Sequence, residues 1–167
     1  MILGHKPFTW LHTILSLIAL VSGCVVLVGL LRSRTLPLWS ALFLASAAAT
    51  SATGFGFRTA SFGASHWLGI ISLVVFALAI LARYVFRFAG AWRWIYALGM
   101  VSGLYFLVFV TIAQAFKKVP ALEAMAPTLS EPAFTHAQLV TLGIFIVFAA
   151  VAARSFGRAG PLGRSSR

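Results

Sequence analysis

The side chains able to do acid–base or ligand chemistry are few: four histidines (His5, His12, His66, His136), two glutamates (Glu123, Glu131) and one cysteine, Cys24, in 167 residues. Imidazoles delivered by separate segments to one depth suit a haem b iron, or copper or zinc. The same groups, with a glutamine beside them, suit the carbonyls of a quinone head group. Histidine also titrates near neutrality, which suits a pH-sensitive latch. His12, His66 and His136 are therefore the candidate cofactor-binding and metal-binding residues, with Gln114, Glu123, Glu131 and Arg58 as accessory groups. The spacing carries little by itself: no two histidines stand four apart, and Cys24 has no histidine beside it. The plainer reading is structural, because imidazole is amphipathic at a membrane interface and helix starts need polar partners for their first N–H groups. No catalytic residue is assigned.

The rest of the chain decides what must position these groups. Hydrophobic residues make up 61% and charged residues 9%, against about 25% charged in ordinary soluble domains. One core of this size has no room for so much apolar surface, so the solvent is lipid. The net charge of +11 would point to nucleic acid in a soluble protein. Here the Lys and Arg fall between apolar stretches and in the tail, as they do in bilayer proteins. The expected partners are the lipid bilayer and other membrane-protein subunits, with no nucleic acid.

Five apolar stretches approach the roughly 20 residues that a hydrocarbon core requires: about 10–31, 38–57, 66–88, 94–116 and 134–153. In lipid each segment pairs its own backbone, so these are helices. The fold class is all-α, a transmembrane bundle of five helices over residues 1–157, followed by a flexible cytoplasmic tail at 158–167. The longest connection, Lys117 to Ala133, carries Pro120, Pro127 and Pro132, and Glu131-Pro132 suits a helix start. Cys24 reads as a buried thiol in the middle of the first helix. Although Val21-Ser22-Gly23-Cys24 resembles a lipoprotein processing box, the apolar run continues past it to Leu31.

Orientation follows from the cations. Lys6, Arg58, Lys117 and Lys118 lie on one side, four in all; Arg32, Arg34, Arg83, Arg87, Arg93, Arg154, Arg158, Arg164 and Arg167, nine in all, lie on the other. The richer side faces the cytoplasm, so the N-terminus is outside and His12, His66 and His136 sit near the outer leaflet. Small residues mark packing faces: Ala19 and Gly23 on the first helix, Gly99 and Gly103 on the fourth, where contacts within the chain are expected first. His12, Ser16, Ala19 and Gly23 share one face, and His136 shares one with Gly143. Both faces are expected to point into the bundle.

The absences narrow the function. No Asp or Glu lies in an apolar stretch, so the carboxylate relays of proton-coupled pumps are missing. No glycine-rich phosphate loop and no nucleophile elbow is present. Arg58 and Arg83, at helix ends, are expected to snorkel to the interface.

The stretches Thr53-Gly54-Phe55-Gly56-Phe57, Ala82-Arg83-Tyr84, Lys118-Val119-Pro120-Ala121-Leu122 and Ala126-Pro127-Thr128-Leu129-Ser130-Glu131-Pro132 resemble those of small multi-pass proteins of the bacterial cytoplasmic (inner) membrane that carry no assigned activity. The resemblance covers most of the chain. It implies that membrane, and carries over no functional residue. The leading expectation is a redox-associated membrane protein with a histidine site on the periplasmic side for haem, metal or quinone. The alternative is a non-catalytic subunit or assembly factor of a larger membrane complex. A small-molecule permease fits poorly, since the bundle is short and is expected to lack buried charge and broken helices.

The topology is testable by fusion. A fluorescent protein joined at the C-terminus should fluoresce, and alkaline phosphatase at the same point should be inactive; the opposite pair of results inverts the bundle.

Overall fold

The computed structural model describes residues 5–55 and 64–158, with side chains over 7–55 and 66–156. It is all-α: α1 (His5–Leu31), α2 (Pro37–Gly54), α3 (Ala64–Ile80, continued by a π-helical turn Leu81–Val85), α4 (Trp92–Lys118), α5 (Pro120–Glu123) and α6 (Pro132–Arg158), with no strand among the described residues. Among the described residues four segments are long and apolar enough to cross a membrane: Pro7–Leu31, His66–Val85, Trp92–Lys118 and Pro132–Phe156. The remaining long helix, α2, is diluted by Ala, Ser and Thr.

The differences from the expected bounds have local causes. The first helix starts earlier, at His5, because Pro7 falls in the first turn, where its missing N–H costs nothing. The second ends at Gly54, and its expected last residues, with Arg58, lie outside the described residues. The third widens into a π turn and closes with Phe86 N–H to Leu81 O and Phe88 N–H to Ala82 O. The last helix begins at Pro132 as Glu131-Pro132 suggested, but runs on to Arg158. The proline-rich connection contains α5, a single turn started by Pro120.

Successive long helices run antiparallel, as the paired contacts show. His12 meets Thr53, Phe55 meets His66, Arg83 meets Tyr96, and Phe116 meets Phe134. Helix α4 is central, packing on α1, α3 and α6. Its buried Tyr96, Met100 and Leu104 join Phe43 of α2 and Phe76 of α3 in the core. Lipid offers no hydrophobic drive for helix association, so close backbone approach decides the packing. A Cβ on Gly23 would meet Leu104 at 2.7 Å and Phe43 at 2.8 Å; one on Gly99 would meet Ala79 at 3.3 Å. A Cβ on Gly103 would strike the Phe76 ring. The Gly99–Gly103 pair thus serves contacts within the chain, as expected. Cys24 departs from expectation: it is mid-helix but exposed, because its neighbours Gly23 and Val26 take the inward face.

Gly103→Ala should therefore cost about 1–3 kcal/mol, the usual penalty for overpacking. Gly143→Ala on α6, where nothing lies within 4 Å of an added Cβ, should cost nothing. Unfolding of the two purified variants in detergent would measure the gap, and equal midpoints would contradict this packing.

Candidate functional site

One end of the bundle collects the starts of α1, α3 and α6 and the end of α2. His12, two turns into α1, is half-buried and lies 2.8 Å through Nδ1 from Thr53 Oγ1. Thr53 has one hydroxyl proton, and its Oγ1 already lies 2.8 Å from Ala49 O in the preceding turn. With that proton given to the backbone, His12 Nδ1–H is the donor and Thr53 Oγ1 the acceptor, an assignment made from the network. The neutral ring then has Nε2 as its acceptor nitrogen. A Cβ on Gly54 would stand 4.0 Å from His12 Cε1, an ordinary contact distance, so the approach does not depend on glycine there. Ser16, on the same face, returns its hydroxyl to His12 O at 2.7 Å.

His66 reaches the same end of α2 from the other side. Its ring lies 5.7 Å from that of Phe55, which also covers Gly69. Two imidazoles thus flank the last turn of α2, whose carbonyl end favours positive charge. His136 does not join them. It is exposed on α6, which packs on α1 and α4. The reason is the face it occupies: Gln138 is the buried residue of that turn, and its Nε2 donates to Phe109 O at 3.1 Å. Gln114 and Glu123 are exposed, and Arg58 lies outside the described residues. Among the described residues no group of three or more His, Cys, Asp or Glu side chains is placed to hold a metal ion.

Glu131 has a local task. Its carboxylate accepts from Thr128 N–H at 3.2 Å, Thr128 Oγ1–H at 2.7 Å and Ser130 N–H at 3.1 Å. These bonds hold Leu129 at φ +62°, a left-handed conformation unusual for leucine. Leu129 in turn closes one side of a groove of about 230 Å³ between α4 and α6, walled by Tyr105, Phe109, Phe134 and Gln138.

The opposite end holds a denser polar arrangement that the sequence reading passed over. Arg83, in the π turn, donates from Nη1 to Tyr96 Oη at 3.2 Å, and Tyr96 Oη donates to Ser40 Oγ at 2.9 Å. Tyr96 is 1% exposed. The Arg83 guanidinium also lies over the rings of Tyr84 (5.4 Å), Tyr96 (5.8 Å) and Phe88 (5.9 Å). Arg93, expected in a solvated loop, is buried in the first turn of α4 with its guanidinium 5.6 Å from the Phe156 ring. Phe88, Tyr96 and Phe156 pack on one another between the two arginines. The signal was the interleaving of Arg83, Arg87 and Arg93 with Tyr84, Phe86, Phe88, Trp92 and Tyr96, since guanidinium stacks on aromatic faces.

No family model matches the chain, and no curated protein or solved structure matches it.

The Glu131 bonds hold its carboxyl below the ordinary value, chiefly through the Thr128 side chain. A depressed folded value places the stabilisation above the unfolded value and removes it as pH falls through the folded one. Amide exchange at Thr128 and Ser130 should therefore stay protected above about pH 4.5 and quicken only below it. Glu131→Gln should show the fast rate at all pH; a flat wild-type profile through the acid range would refute the anchoring role.

Proposed function

We propose that this chain is a five-span protein of the bacterial cytoplasmic membrane, N-terminus outside, acting as a non-catalytic subunit or assembly factor in a larger membrane complex. The observation that carries the reading is the outward face of α6. Gly23, Gly99 and Gly103 are each covered by a neighbouring side chain, whereas Gly143 has nothing within 4 Å of an added Cβ. Its neighbours along that stripe, Val140 and Val147, are 64% and 59% exposed. A glycine that lets backbones approach, flanked by branched apolar residues and left uncovered, is a seat for another helix.

Span count and orientation rest on separate supports. Helix α2 has 18 residues without Asp, Glu, Lys or Arg, about 27 Å at 1.5 Å per residue. It packs antiparallel on α1 and α3, both long and apolar enough to cross. The nine-to-four cation asymmetry favours a cytoplasmic C-terminus. A haem, metal or quinone at the histidine end has narrower support: His12 and His66 flank α2, but His136 faces away.

Gly143→Leu should shift the protein from a high-mass species to a smaller one on native gels of mildly solubilised membranes. Val74→Leu, on the exposed face of α3, should leave it unchanged. Migration of the wild type as a monomer under the same conditions would end the subunit reading.

A further inference from the structure

The arginine–aromatic end of the bundle has features that close packing does not require. Arg83 spends one of the five N–H groups of its guanidinium on Tyr96. The residue is half-buried. Its position is held from several sides: Tyr96 fixes one nitrogen, Ser40 fixes Tyr96, and the rings of Tyr84 and Phe88 flank the plane. Arg87 and Phe88 follow at φ +45° and +63°, two consecutive non-glycine residues in the left-handed region. Such conformations cost energy and persist where the surroundings impose them.

Among the described residues no acidic side chain is near this charge. The chain's only acidic residues are Glu123 and Glu131. They lie beyond the far end of α4, whose 27 residues span about 40 Å. Exposed Arg87 follows Arg83 by four residues, and Arg93 lies past the Phe88–Tyr96–Phe156 rings, against Phe156. Directly along α3 from Arg83, toward the bilayer centre, Leu81, Leu78 and Val74 are exposed and apolar.

We propose that Arg83, positioned by Tyr96 and assisted by Arg87, binds the phosphate of an anionic phospholipid whose acyl chains lie along the exposed face of α3. A planar guanidinium held by one edge presents its remaining donors as a fork that matches phosphate oxygens. Basic pockets between membrane helices at the leaflet surface recognise such head groups. The apolar lane below the charge selects a lipid over a free anion. Arg93 adds field to the site without touching the head group.

The test uses the purified full chain in dodecyl maltoside, with added phosphatidylglycerol, phosphatidylcholine or inorganic phosphate, read as lipid retained in native mass spectra and as the shift in thermal midpoint. Wild-type protein should retain phosphatidylglycerol in preference to phosphatidylcholine and gain a midpoint shift with it alone. Arg83→Gln should lower the apparent affinity about tenfold, the worth of one charge-assisted contact. Tyr96→Phe keeps the charge but frees the side chain; it should weaken retention several-fold, and stands in if Arg83→Gln fails to fold. Arg154→Gln, an exposed cation on α6, should bind as wild type. Equal retention of the two lipids, or undiminished retention in both the Arg83 and Tyr96 variants, would overturn the site. An equal midpoint shift with inorganic phosphate would overturn the lipid assignment.

Discussion

Close approach of backbones, without hydrophobic drive from the surroundings, is the constraint on which this bundle rests. In lipid an exposed leucine and a buried one have nearly the same neighbours, so burial separates helices from one another only weakly. What selects one arrangement is shape. Phe76 fits only where Gly103 gives it room, and Phe43 with Leu104 only where Gly23 does. The edge-to-face pair of Phe43 and Phe76 at 5.9 Å joins these contacts, so α1, α2, α3 and α4 are positioned through one layer of rings and glycines.

Hydrogen bonds between helices are few and sit toward the ends. Most hydroxyls inside the bundle return to their own helix: Ser22 to Ile18 O, Ser46 to Leu42 O, Ser72 to Leu68 O. A hydroxyl so engaged is satisfied in lipid and specifies no partner. Among the described residues, the bonds that do cross include His12 with Thr53, Arg83 with Tyr96, Tyr96 with Ser40, Gln138 with Phe109 O and Ser33 with Ser155 O. They pin what the glycine layer has already brought near. The two ends of the bundle differ in what they pin: imidazole bonded to a threonine hydroxyl at one, guanidinium among aromatic rings at the other.

The same inference about small residues beneath a histidine succeeded on one helix and failed on another. On α1, Ala19 and Gly23 are buried and His12 above them meets Thr53. On α6, Gly143 is open and His136 exposed, because Gln138, Phe145 and Phe148 supply the inward face instead. A stripe of small residues says that a helix can be approached closely, but not by which neighbour. Arg93 was misplaced for a related reason: a cation near a helix end is read as reaching water, unless rings close enough to hold it are known to surround it.

Composition and run length alone determined an all-α chain with membrane-spanning helices, and Glu131-Pro132 the start of the last at Pro132, because backbone pairing in lipid is local to each segment. Tertiary structure alone decided which faces meet, since that depends on side chains from distant segments fitting one another. It parted His136 from His12 and His66, turned Cys24 outward, and set Arg83 and Arg93 on either side of the Phe88–Tyr96–Phe156 rings, a juxtaposition that no spacing along the chain encodes.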